Sequence, residues 1–462
     1  MICQKDVLSG EINSPKRKKR FKGVSMKRRL KNVCIILLSS VLIGVLLLCL
    51  VFCLPVKSAR ENVETSLYQM IGIKYDEDGD PERKEIIDLK ENFTDYLMVQ
   101  NALERVEGKS PLAHAMYIYH YDLGEDSTWF TEESLVTLLE KGAEGMFLRE
   151  YSKYWHGYLV FLKPLLMCMT WEHLENFMVV AQLLFLAVVV GLSFYKRKPY
   201  VGVVLLCALA FMKPTRIWLS FAMCVSWNIT LTAVLAELLF YDKLEEKNWR
   251  DEFFLIIGIL TAYMDFLTYP IVTLGIPLCI YVVEKAKEEN PWWVRLKQVF
   301  WMVCSWVVGY IGMWGMKWVV AELTYQTGTL RDAVWSVIYR TTPLDGYQSA
   351  SSGISRTWNS VLMQYQSAAY GVLFVLIAAA AILSVVICLI KARSMGWGIS
   401  IICLGMIALL PFGWLVLTQN HTAIHCWFTF RIMGVSICAL CGMTVCSVRS
   451  LWEKKRSVRE TV

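Results

Sequence analysis

Apolar runs near 20 residues recur along this chain and constrain its fold more than any other feature. Each is long enough to cross about 30 Å of hydrocarbon. Inside that layer no water satisfies the backbone, so a crossing segment must bond within itself as a helix. The predicted class is therefore all-α: a polytopic membrane protein with about ten transmembrane helices. A hydrophobic share of 56% over 462 residues and a mean hydropathy of +0.43 agree with it. The net charge of +7 says little about partners, because the charges are segregated. Nucleic acid is not expected as a partner, since the basic residues cluster where a cytoplasmic face is predicted.

Residues 1–32 form a basic tail with eleven Lys and Arg, dense from Lys16 to Arg20, against Asp6 and Glu11. Residues 33–54 follow as the first transmembrane helix, closed by Pro55. The run is too long for a signal-peptide core, so it reads as an uncleaved anchor with a cytoplasmic N-terminus. Met26 is an alternative start that keeps the anchor. Residues 55–173 form one large extracytoplasmic loop with a surface helix. Its stretch 56–150 holds 21 acidic and 10 basic residues. Asp80-Pro81 reads there as an N-cap and first helical position. Ile86, Leu89, Phe93 and Leu97 follow at helical spacing, which predicts a helical loop domain. The apolar stretch Tyr158–Trp171 is short and broken by Lys163-Pro164, so a re-entrant or interfacial helix is expected.

Residues 174–446 supply the other nine crossings of the bundle. They are Leu174–Tyr195, Val201–Met212, Ile217–Phe240, Phe253–Phe266, Pro270–Val283, Val299–Val320, Gly371–Ile390, Ile399–Leu417 and Trp427–Cys446. Basic clusters at 196–198, 285–297 and 391–393 fall on the side of the tail, and residues 447–462 form a second basic tail there. Both ends are thus expected in the cytoplasm of a multi-pass cell-membrane protein. All six histidines (His114, His120, His156, His173, His421, His425) fall in segments this layout places outside, where polar residues are also simply easiest to carry.

Most of the 15 cysteines sit in apolar runs, where cysteine acts as a small hydrophobe. The loop between Cys53 and Cys168 has none, so no disulfide framework is expected there. Cys438 and Cys441 have a redox or metal spacing, but lie mid-helix with no histidine beside them.

Four clusters can carry chemistry. In Asn92-Phe-Thr-Asp95, Asp95 is either a general base or a helix cap. In Tyr154-Trp155-His156-Gly-Tyr158, running on to Lys163, aromatic rings around a histidine suit a sugar ring or lipid headgroup, or an interfacial belt. Asp265, in Met264-Asp-Phe-Leu-Thr-Tyr-Pro270, ends an apolar helix, where an ionisable group has either a function or a structural partner, for which Lys213 and Arg216 are the candidates. Lys317 and Glu237 are the charges expected deepest in the bundle. In the last cluster, Asn420-His421-Thr-Ala-Ile-His425 runs to Arg431. His421 and His425 share a helical face, and zinc there needs a further ligand such as His156 or an acid. Arg431 suits phosphate or pyrophosphate, or an internal pairing. No metal ligands and no cofactor are assigned, and a divalent metal stays open.

These motifs resemble a family of poorly characterised multi-pass proteins from Gram-positive bacteria, over about residues 55 to 435. The layout of first helix, long acidic loop, surface helix and bundle is similar to the C-type glycosyltransferase superfamily. That resemblance implies a glycosyltransferase that takes sugar from a polyprenyl-phosphate donor at the outer face. The acceptor would be a glycan, lipid or polymer of the cell envelope. Asp95 would match the base, and Arg431, helped by His425 or Lys163, the phosphate side. The superfamily often places an acid close after the first helix, where this chain has Glu61 or Glu64. Two other readings stand beside it: a transporter or flippase of an anionic lipid-linked substrate, and a non-catalytic envelope assembly factor.

Overall fold

The computed structural model describes residues 25–71, 73–75, 81–83, 93–124, 132–326, 328–342, 350–391 and 395–460. The chain opens with α1 (Met26–Cys53), capped by the Ser25 side chain. A polar unit follows. It contains α2 (Lys57–Thr65), α3 (Leu67–Met70), α4 (Phe93–Leu103), α5 (Pro111–Tyr117) and α6 (Glu132–Lys141). Two short antiparallel ladders interrupt them: β1 (Ile73–Tyr75) with β2 (Pro81–Arg83), and β3 (Tyr119–Asp122) with β4 (Phe147–Glu150). The loop domain is therefore helical with two small hairpin-like pairs. Pro81 is not a first helical residue: it pairs with Tyr75 in a strand, and α4 begins at Phe93. Ile86, Leu89 and Asn92 lie outside the described residues. The unit ends in the apolar α7 (Leu159–Cys168), whose ten residues rise only about 15 Å, too short to cross.

The bundle comprises α8 (Trp171–Tyr195), α9 (Pro199–Phe211), α10 (Pro214–Leu219), α11 (Phe221–Lys247), α12 (Arg250–Met264), α13 (Ile271–Glu284) and α14 (Trp292–Tyr325). After it come α15 (Thr329–Thr341), α16 (Ala350–Met363), α17 (Ala368–Lys391), α18 (Met395–Ala408), α19 (Leu410–Leu417), α20 (Gln419–Ile424), α21 (Cys426–Thr429) and α22 (Gly434–Glu460). Among the described residues seven helical stretches are long and apolar enough to cross a membrane: α1, α8, α11, α14, α17, Gly396–Leu417 and Cys426–Glu453. They mark the chain as a membrane protein. The other three expected crossings are helices, but α9, α12 and α13 have only 13, 15 and 14 residues. The crossing expected from Ile217 is also divided: Ile217 belongs to the short α10, and Ser220 starts α11 afresh.

Leu38, Leu42, Leu46 and Leu50 of α1, and Leu383, Leu389 and Ile390 of α17, are exposed, as lipid-facing side chains are. Close packing appears where α12 crosses α14. A Cβ on Gly258 would stand 2.2 Å from the Trp306 carbonyl oxygen, and one on Gly309 would stand 2.2 Å from that of Leu255. Two glycines let the backbones touch, as small residues do between membrane helices.

The 34 residues of α14 rise about 51 Å, well beyond a bilayer core. Its far turns hold the polar unit. Lys317 Nζ donates to the carbonyls of Ala115 (2.5 Å) and Met116 (3.1 Å). Trp314 and Trp318 donate to the Lys153 carbonyl at 2.8 and 2.9 Å. Lys317 is thus a buried staple, and Glu237 pairs with Arg250 at 3.2 Å. The fourteen described cysteines are free.

Candidate functional site

Asp95, the residue expected as base, opens the site as a hydrogen-bond acceptor. It lies in the first turn of α4 and is fully buried. Its Oδ2 accepts the Phe221 N–H (3.2 Å) and its Oδ1 the Ala222 N–H (2.7 Å). Ser220 Oγ takes the Met223 N–H. Three of the four orphan donors at the start of α11 are thereby satisfied, two of them by a carboxylate placed where the helix dipole favours an anion. Burial pushes the Asp95 pKa up to about 7, against the pull of these donors. Asp95 is a cap, but of a helix more than a hundred residues away. Glu61 and Glu64, the alternative acids, sit on the surface in pairs with Lys57 (3.9 Å) and Arg60 (2.9 Å).

Asp265 is held in the same way. Oδ1 accepts the hydroxyls of Ser226 (2.9 Å) and Thr268, and Oδ2 accepts the Thr268 N–H (2.9 Å). Local donors satisfy it at the end of α12, so the ion pair expected with Lys213 or Arg216 is not what holds it. Leu267, next in this turn, has φ of 62°, and His156 has φ of 58°. Both are in the left-handed region that bulky residues avoid, and such strain collects where the surroundings enforce a shape.

That shape is a cavity of about 80 Å³. Thr94 from the first cluster lines it, as do Tyr154 from the second, Phe266 and Thr268 from the third, and His421 and His425 from the fourth. Its volume suits a few waters or a small anion. Arg340, at the end of α15, completes the wall. Its guanidinium lies 5.5 Å from the centre of the Tyr154 ring. Among the described residues Arg340 has no carboxylate partner, and its Nη1 is buried with no hydrogen-bond partner. An arginine cannot shed its charge, so this is a fixed cation.

The histidines beside it are neutral. Burial, then the charges of His425 and Arg340, hold His421 well below ordinary histidine basicity. Burial and Arg340 lower His425 to about 4. His421 Nε2 faces the Leu267 carbonyl at 3.0 Å, so this nitrogen carries the proton and Nδ1 keeps the lone pair. The two rings are 4.8 Å apart.

The remaining expected residues support the wall or lie away from it. Asn420 Nδ2 donates to the Tyr339 carbonyl at 2.7 Å, and Gln419 Nε2 to that of Thr341 at 3.1 Å, flanking Arg340. Trp155 is fully buried and donates to the Met313 carbonyl at 2.6 Å. His156 Nε2 donates to the Tyr151 carbonyl (3.0 Å), with Nδ1 facing the Tyr158 hydroxyl (2.9 Å). Lys163 lies in α7, 5.5 Å from the Phe52 ring, and takes no part in the cavity. Arg431 is also outside it, buried, donating to the Trp427 carbonyl at 3.0 Å and lying over the Phe430 ring. Among the described residues no three His, Cys, Asp or Glu side chains converge as a metal set. The sequence reading missed Arg340 and Tyr151. Arg340 is one basic residue in a polar loop, and nothing in its own neighbourhood distinguishes it.

No family model matches the chain, and no curated protein or solved structure shows significant similarity to it.

Proposed function

We propose that this chain is a membrane glycosyltransferase working at the outer face on a polyprenyl-phosphate-linked sugar, in a ten-crossing layout with both ends cytoplasmic. The observation that carries the reading is Arg340: a half-buried cation with no carboxylate partner among the described residues, in a small cavity built by all four candidate clusters. The carrier phosphate is its anion. In the transfer, an acceptor hydroxyl oxygen bonds to the anomeric carbon as the bond from that carbon to the phosphate oxygen breaks. The electron pair leaves with the polyprenyl phosphate, whose charge Arg340 stabilises. The hydroxyl proton goes to the free nitrogen of a neutral imidazole, His421 Nδ1. Asp95 and Asp265 serve as structural acids, because each of their oxygens already accepts a hydrogen bond.

That same fact favours one second reading. A cavity without a free carboxylate suits a flippase that binds the phosphate and moves it. Reconstituted protein given labelled polyprenyl-phosphate sugar and envelope acceptors separates the two. Loss of sugar from the carrier, abolished by His421→Gln and Arg340→Gln in folded protein, is the transferase result. Movement of intact donor across the bilayer, with no loss of sugar, replaces it with the flippase.

A further inference from the structure

At the other end of the bundle a second cavity, about 460 Å³, opens where α1 and α14 begin, α11 ends and α12 begins. We infer that it binds the phosphate headgroup of an anionic phospholipid from the leaflet on that side. Three cations line it: Arg29, Arg250 and Lys297. Its two acids are already engaged. Asp251 pairs with Arg29 at 2.6 Å. Glu245 is shared between Arg250 (2.7 Å) and Lys285 (2.6 Å).

Arg250 is also paired with Glu237 at 3.2 Å, so the lining cation left without a carboxylate among the described residues is Lys297. Arg250 is only 7% exposed, and its Nη2 has no partner among the described residues. Lys297 is exposed and forms no ion pair among them. A phosphate diester supplies the missing negative charge and acceptors.

The rest of the wall fits a lipid and not a freely soluble ion. Trp293 and Trp301 line the cavity with Met26 and Met302. Trp293 is 54% exposed beside Trp292 at 57%, as aromatic residues are at a membrane interface. The Arg29 guanidinium stacks 4.3 Å from the Trp301 ring centre. Basic pockets between membrane helices take anionic headgroups.

The test uses the purified full chain in a neutral detergent. It is titrated with phosphatidylglycerol, phosphatidylcholine and inorganic phosphate, and bound molecules are counted by native mass spectrometry. The expected result is saturable retention of one phosphatidylglycerol, with phosphatidylcholine about tenfold weaker. Lys297→Gln combined with Trp293→Ala weakens the anionic lipid by about fivefold or more. For wild type, retention falls from low to high salt, because Lys297 is exposed to screening. That measurement decides the matter if the variant does not fold. Equal retention of the two lipids, or salt-insensitive retention, overturns the inference. Displacement of the lipid by inorganic phosphate at equal affinity also overturns it, in favour of a soluble phosphate compound.

Discussion

The Asn420 side-chain amide donates to the carbonyl of Tyr339 at 2.7 Å, one residue before the cavity's arginine. It ties α20, which carries His421, to the end of α15, which carries Arg340. The cation and the imidazole are thereby held as one unit. Asn420→Ala removes this tie without touching either group. It is expected to lower stability by about 1 kcal/mol, the value of one ordinary hydrogen bond, and to weaken binding of a short polyprenyl phosphate by about fivefold in protein that still folds. Wild-type affinity in the variant contradicts the positioning role.

Asp95 is predicted to matter for stability first. Asp95→Ala strips two buried N–H groups of their acceptor at the start of α11, a loss of about 1–3 kcal/mol. Asp95→Asn keeps one acceptor oxygen and should lose clearly less. Unfolding in detergent measures both. If alanine unfolds like wild type while activity disappears, Asp95 is the catalytic base after all.

The crossing of α12 and α14 tolerates no added atoms. Gly258→Ala and Gly309→Ala each drive a methyl group into a carbonyl oxygen of the other helix. Each should lose about 1–3 kcal/mol or more, read as a lower unfolding temperature and a smaller folded yield. Gly315→Ala, whose Cβ meets nothing within 4 Å, is the control and should behave as wild type.

Acid should destabilise the site. His425 has a folded pKa of about 4 against 6.5 when unfolded, and His421 is shifted in the same direction. Between those values the unfolded chain binds protons that the folded chain refuses. The stability present above pH 6.5 is therefore lost as the pH falls toward 4. Asp95 works the other way: its raised pKa contributes stability at low pH that is lost as the pH rises through about 7. His425→Gln isolates the histidine part. Its unfolding temperature should fall less between pH 6.5 and 4 than that of wild type, and equal slopes contradict the assignment.

The fold was legible where the physics is local. Long apolar runs became helices, and Lys163-Pro164 marked a helix too short to cross. Strand pairing was not legible: the Asp80-Pro81 helix signal is a local preference, and pairing of Pro81 with Tyr75 depends on chain folded elsewhere. In the site, the clusters around Tyr154, Asp265 and His421 were visible because polar groups are conspicuous beside apolar helices. Their roles were not. Whether Asp95 caps or catalyses depends on Phe221, 126 positions away. Arg340 looked like any loop arginine, and only its approach to Tyr154 and His421 gives it meaning.

The most direct test of the central claim is binding of a short polyprenyl phosphate to purified protein in nanodiscs, wild type against Arg340→Gln, with Arg431→Gln alongside. The account predicts saturable binding by wild type, retained when Arg431 is replaced and lost by tenfold or more, about 1.4 kcal/mol, when Arg340 is replaced. Binding that survives in Arg340→Gln, or disappears only in Arg431→Gln, contradicts it.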